Sequence, residues 1–272
     1  MLHALLALSV LAAGTAREDP KPAPVELTIY AAASLRDALQ AIAPDYEKAN
    51  SVKIVFNFGS SGDLARQILA ANKADVFLSA DDKEMDRVAF DERIEESTRK
   101  VLLSNQLVVI EPIDPDHPDA SIFPKPFDVE SLAKPQMKRL SLADTNSVPA
   151  GRYAKAWLEK KGLWDKVKDR VLPGVDVRAA LAAVESAGAD AGIVYRTDAA
   201  VSKKTRIVHA VPIAEGPAIR YALAVLKDRP NAPAARAFAG SLAGAECRAV
   251  FVRFGFVIPE SRPETEKKGS GK

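Results

Sequence analysis

Cysteine is almost missing from this chain of 272 residues, where Cys247 stands alone. A single cysteine excludes an intramolecular disulfide and a thiolate metal site. Within Ala245-Glu246-Cys247-Arg248-Ala249-Val250-Phe251, a helical pattern, it reads as a small buried hydrophobe. It lies too far from the N-terminus to be the lipid-bearing cysteine of an exported lipoprotein. Histidine is nearly as scarce, at 3 residues, and His117 and His209 have no companion at ligand spacing, which argues against a cation site. Charge of one sign is not concentrated anywhere: 38 Lys and Arg face 36 Asp and Glu, for a formal charge of +2. A nucleic-acid surface would cluster basic residues with interleaved aromatics, and no such cluster exists here. Beyond the first residues, no apolar run is long enough to cross a bilayer. Serine lacks a Gly-x-Ser-x-Gly frame, and the glycine turn lacks a Gly-Lys-Ser/Thr ending. Acyl transfer and nucleotide hydrolysis are therefore without their usual residues.

What the chain has in quantity is apolar sequence, at 47%, enough for one large core or two ordinary ones. Leu2 to Ala13 is apolar but too short to span a membrane, and Gly14-Thr15-Ala16 supplies small residues before Arg17. Two readings follow, an export signal over 1–16 and an N-terminal core helix. The first is favoured because Pro20, Pro22 and Pro24 follow an uncapped segment, although the n-region has His3 and no Lys or Arg. After Pro259 apolar residues vanish, so 259–272 reads as a disordered tail.

From Val25 to Val257 strand and helix patterns alternate, which predicts an α/β architecture with largely parallel sheets covered by helices. Strands are expected at Glu26–Tyr30, Lys53–Phe58, Asp75–Ser79, Leu107–Ile110, Arg139–Ala143, Ala191–Tyr195, Arg206–Val211 and Tyr221–Leu226. Helices are expected at Leu35–Asn50, Asp63–Ala71, Asp82–Phe90, Gly151–Lys161, Asp176–Ala187, Pro233–Ala243 and Ala245–Phe254. Six prolines between 111 and 137 mark a surface excursion and the opening of a second unit. The expected division is a discontinuous first lobe, 25–107 with 221–258, and a second lobe, 108–220, joined by crossings near Gln106–Glu111 and Ile219–Ala222.

One short phrase occurs twice. An apolar strand ends in small residues and a serine, and an amphipathic helix starts at once. The first copy runs Leu27-Thr28-Ile29-Tyr30-Ala31-Ala32-Ala33-Ser34, and the second runs Lys53-Ile54-Val55-Phe56-Asn57-Phe58-Gly59-Ser60-Ser61-Gly62. Each serine is expected at a helix N-cap, beside backbone N–H groups that have no intrahelical partner. Two such ends aimed at one point would hold an anion without any cationic side chain.

These residues carry a resemblance. With Leu64-Ala65-Arg66-Gln67-Ile68, Ala74-Asp75-Val76-Phe77-Leu78-Ser79-Ala80-Asp81, Val148-Pro149-Ala150-Gly151-Arg152-Tyr153-Ala154, Asp176-Val177-Arg178, Gly192-Ile193-Val194-Tyr195 and Arg253-Phe254-Gly255-Phe256, the chain resembles the periplasmic molybdate-binding proteins of ABC importers. The phrases stand in the family's order across nearly all of the chain after the leader. The resemblance implies the type II periplasmic-binding-protein fold, with two lobes, a mostly parallel sheet in each and a cleft between them. It implies an anion held by the hydroxyls of Ser34, Ser61 and Tyr195 and by the backbone N–H groups of Ser34, Ser61, Ala150 and Val177. It further implies a soluble periplasmic monomer with no enzymatic activity, no cofactor and no nucleic-acid partner, which delivers molybdate or tungstate to a membrane permease.

The residues give that set a physical sense. Ala150 follows Pro149 at a helix start, and Val177 opens a helix after Pro173-Gly174, so both amides are free donors. A cage of donors suits an oxyanion with no proton left, whereas the O–H of a monoprotonated phosphate would find no acceptor, at a cost of about 1–3 kcal/mol. Sulfate, also unprotonated, stays open as an alternative ligand. Asp63 near the second serine is read as a first-turn residue facing solvent, and Arg66 and Arg178 as solvated or interlobe residues. An enzyme of related shape, a deaminase carrying a cysteine-linked pyrrole cofactor, would need a reactive cysteine, which Cys247 in its apolar helix does not supply. A transcription-factor effector domain would need a helix-turn-helix ahead of Val25, which is not there.

Overall fold

In a computed structural model, residues 24–259 are described, so the export signal expected over 1–16 and residues 260–272 of the expected tail lie outside the described residues. The strands are β1 (Val25–Ala32), β2 (Val52–Gly59), β3 (Val76–Ser79), β4 (Lys100–Leu103), β5 (Leu107–Pro112), β6 (Leu140–Ala143), β7 (Val171–Gly174), β8 (Ala191–Tyr195), β9 (Thr205–Ala210) and β10 (Tyr221–Val225). Between them lie α1 (Arg36–Asn50), α2 (Ser61–Ala71), α3 (Asp82–Phe90), α4 (Pro149–Lys160), α5 (Trp164–Val167), α6 (Val177–Glu185), α7 (Arg196–Val201), α8 (Ala232–Ser241) and α9 (Ala245–Arg253).

The strands form two five-stranded sheets, ordered β2-β1-β3-β10-β4 and β7-β6-β8-β5-β9. Three strands of each run parallel, which matches the continuous apolar runs seen in β3, β6 and β8. β10 and β5 instead run antiparallel to both of their neighbours. Each of these two strands is entered directly from the opposite sheet, without the crossover helix that parallel pairing requires. Helices α8 and α9, the last in the described chain, return to the first sheet, α8 against β10 and β1, and α9 against α1.

Two strands had no counterpart in the sequence pattern, and both are sheet edges. β4 and β7 are only partly buried, so neither shows the inward-facing run that marks the equally short β3 and β6, and β7 contains Pro173, which only an edge strand accommodates. Helix α4 begins at Pro149, two residues ahead of the expected start, because proline fits the first helical turn.

The chain passes between sheets at 104–106 and 211–220. These connections are tied together: Ser104 Oγ donates to the Ile219 carbonyl at 2.7 Å, and Gln106 Nε2 donates to the Val211 carbonyl at 2.8 Å. The two crossings therefore run side by side between the sheets.

Candidate functional site

β1 ends at Ala32 and turns at once through a single 3-10 turn, Ala33–Leu35, before α1 begins. Ser34 sits inside that turn and caps nothing, contrary to the expected N-cap, because the turn makes Leu35 the residue that precedes α1. Its Oγ lies 2.8 Å from the phenol oxygen of Tyr221. In the second phrase the cap is Ser60, whose Oγ accepts from the Asp63 N–H at 3.1 Å and donates to the Asp63 carboxylate at 2.7 Å. Ser61 is the first residue of α2, and its Oγ accepts from the Ala80 N–H at 2.9 Å. The two adjacent serines thus divide the work. Ser60 is saturated by its helix, and Ser61 keeps its hydroxyl hydrogen for another partner.

The opposite wall is built from helix starts of the second sheet. Pro149 opens α4, so the Ala150 amide is a first-turn donor with no intrahelical acceptor. Asp176 caps α6 by accepting from the Ala179 N–H at 2.8 Å, which leaves the amide of Val177, the first helical residue, unclaimed by the cap. Tyr195 ends β8 with its ring fully buried, and its phenol oxygen has no hydrogen-bond partner. A buried orphan hydroxyl costs about 1–3 kcal/mol unless something fills its hydrogen bond.

Ser34, Ser61, Ala150, Val177 and Tyr195 all line one small cavity between the sheets. No lysine or arginine lines it. Asp176 does, but its carboxylate is engaged with the Ala179 amide of its own helix. Asp63 faces Ser60 and Arg66 rather than the cavity, and Arg66 is taken up by that half-exposed pair. Burial, followed by the neighbouring Tyr221, pushes the Tyr195 phenol well above its ordinary range, so it carries its proton at any pH the protein meets.

Around the cavity, charged pairs join the two halves. Arg152 of α4 meets Asp81 and, at 3.1 Å, Glu84 on the first-sheet side. Arg178 of α6 meets Asp37 of α1 and, at 2.6 Å, the buried Asp198 of α7. Gly62 packs so tightly on the second half that a Cβ there would lie 2.4 Å from the Ser147 carbonyl oxygen. The sequence pattern did not single out Tyr221, Asn105 or Arg152 for a role. Tyr221 was visible only as the first residue of a strand, and nothing local distinguishes Arg152 from other helix-surface arginines.

Among the described residues no group of three or more His, Cys, Asp or Glu is placed to hold a metal ion, and no helix is long and apolar enough to cross a membrane. Cys247 is half-buried, with its thiol pushed up by burial and then by Glu246.

Residues 27–257 match the bacterial extracellular solute-binding proteins. The chain belongs to this family. The solute-binding protein is 40% identical over 257 residues to the molybdate-binding protein ModA of Escherichia coli (strain K12), covering 94% of its own length and 97% of that relative. It is 40% identical to ModA of Haemophilus influenzae (strain ATCC 51907 / DSM 11121 / KW20 / Rd), over 86% of this chain and 91% of that one. Its fold is shared with the periplasmic molybdate-binding protein of Azotobacter vinelandii, at a TM-score of 0.75 and 21% identity, over 86% of this chain and all of the other. Two sheets flanked by helices with a cleft between them make this the two-lobe type II periplasmic-binding-protein fold.

Proposed function

We propose that this solute-binding protein captures molybdate in the cell envelope and hands it to the permease of an ABC importer without altering it chemically. The observation that carries the reading is the polarity of the cavity wall. Both serine oxygens already sit against a hydroxyl or amide of their own lobe, the Tyr195 hydroxyl has no partner, and two helix starts face inward. These groups have hydroxyl hydrogens and first-turn amides to offer, and the one carboxylate in the lining, Asp176, is engaged with its own helix, which suits a fully deprotonated tetrahedral oxyanion. The relatives named for molybdate support the choice of that anion. Tungstate has the same shape and charge and belongs to the same proposal.

The lobes, drawn at 25–107 with 221–258 and at 108–220, close on the ligand about the paired crossings, and the ligand stabilises the closed form because donors come from both sides. In this reading Ser34 and Ser61 hold the anion from one lobe, and Ala150, Val177 and Tyr195 hold it from the other. The mature protein works as a soluble periplasmic monomer.

Calorimetric titration with sodium molybdate tests the assignment. Ser34→Ala and Ser61→Ala are each expected to lose about tenfold or more in affinity, the worth of a hydrogen bond to a charged group. Wild-type affinity in both folded variants refutes the site. Sulfate, which is equally free of protons, is expected to fail as a competitor, and displacement of molybdate by sulfate in modest excess would make this a sulfate receptor instead.

A further inference from the structure

Behind Ser34 lies a buried chain of hydrogen bonds whose direction is fixed by its far end. Asn105, in the first crossing, accepts the Gln106 N–H on its Oδ1 at 2.9 Å, which settles which end of the amide is which. Its Nδ2 therefore donates twice, to Thr197 Oγ1 at 2.9 Å and to the Tyr221 phenol oxygen at 3.1 Å. Tyr221 already accepts from Asn105, so its own hydrogen must find an acceptor, and among the described residues Ser34 Oγ is the one recorded, at 2.8 Å. Ser34 in turn, with an incoming donor on its oxygen, has its hydrogen left over for the cavity.

Backbone and packing hold this arrangement in place. A β-bulge between Tyr221 and Ala222 shifts the register against β4 and re-aims the side chain at the start of the strand. The ring stands edge-on to Phe256 at 5.4 Å and tilted on Tyr195 at 6.0 Å. Burial raises the Tyr221 phenol far above its ordinary range, so the hydrogen is never lost.

We infer that Tyr221 and Asn105 are positioning residues that hold the Ser34 hydroxyl with its hydrogen toward the cavity, as a donor. The inference rests on the anion site proposed above and adds to it what orients one of its donors. Tyr221's hydrogen occupies one of the two lone pairs of Ser34 Oγ, so the serine hydrogen cannot turn back toward the phenol. Ser61 is held in a comparable way by a backbone amide, a donor that no side-chain substitution removes, so Ser34 is the position where the orientation can be tested.

The test is a double-mutant cycle read by calorimetry with sodium molybdate. Tyr221→Phe keeps the packed ring and deletes only the hydroxyl. It is expected to weaken molybdate about tenfold in the wild-type background and less than about twofold in Ser34→Ala, because its effect runs through Ser34. Equal losses in both backgrounds, which a merely structural defect would produce, overturn the lock while leaving the anion site standing. No loss in Ser34→Ala alone removes Ser34 from the site and overturns the lock with it. Should Tyr221→Phe not fold, Asn105→Asp serves in the same cycle, since its carboxylate would take the phenol hydrogen and reverse the chain. Its loss is then expected to be at least about fivefold larger with Ser34 present than without it, and equal losses overturn the lock.

Discussion

The Arg152 guanidinium of the second lobe lies 3.1 Å from the buried carboxylate of Glu84 in the first, and it also pairs with Asp81. Both acids are almost fully buried, with side-chain exposures of 6% and 7%. Removing one partner of such a cluster costs on the order of 3 kcal/mol when the remaining charges stay buried. In a protein that can open, the acids regain water by opening, so the cost falls on closure. Arg152→Ala is expected to weaken molybdate binding roughly a hundredfold while the melting temperature without ligand changes little. Calorimetry and thermal melts with and without molybdate check this. Full affinity together with a large loss of ligand-free stability would show that the cluster is structural and not a latch.

Gly62 makes a sharper probe of closure. It stands in the first turn of α2, where alanine is the better helix former by about 1 kcal/mol, yet its Cβ would lie 2.4 Å from the Ser147 carbonyl of the other lobe. Gly62→Ala is expected to keep or raise ligand-free stability and to lose about five- to a hundredfold in molybdate affinity, the range of a steric penalty of about 1–3 kcal/mol. If affinity holds, the lobes do not need this contact to close.

Tyr195 separates binding from folding in a second way. Its hydroxyl is buried without a partner, so Tyr195→Phe removes an unmet polar group and leaves the ring. Ligand-free melting temperature is expected to stay level or rise, while molybdate affinity falls about tenfold. A drop in ligand-free stability would mean that the hydroxyl already serves the fold.

Asp198 gives a pH signature. Burial pushes its carboxyl from the ordinary 3.8 up to about 7, with the nearby Arg178 holding it back. The folded protein then binds this proton more tightly than the unfolded chain does. The stability it contributes is complete below about pH 4 and is lost as pH rises through about 7. Asp198→Asn cannot ionise, so the melting temperature of wild type minus variant is expected to fall across that interval. Parallel melting curves for the two proteins from pH 4 to 7 would rule the shift out.

Much of the site was legible before any coordinates. A strand that ends in small residues before a helix, a Val-Pro-Ala start and an Asp-Val-Arg start are local statements. A helix leaves its first amides free wherever it sits in space. Ser34, Ser61, Ala150, Val177 and Tyr195 could be named on that basis together with a resemblance, and the fold places all five around one cavity. The edge strands β4 and β7 were not legible, because they are only partly buried, unlike the equally short β3 and β6, and because edges tolerate proline. The caps were misjudged for a related reason: whether a serine caps its helix or turns inward depends on the turn that carries it.

By itself the sequence determined where backbone donors would be, since these follow from where strands stop and helices begin. It also showed that charge of neither sign is concentrated in any one segment. Only the tertiary structure decided which way the hydroxyls point. Ser34 meets Tyr221, 187 residues away, and Tyr221 meets Asn105 of the first crossing. Hydroxyl hydrogens rotate to suit their neighbours, and those neighbours come together only when distant segments fold onto one another. The arginine latches are of the same kind, because an ion pair between lobes exists only once the lobes meet.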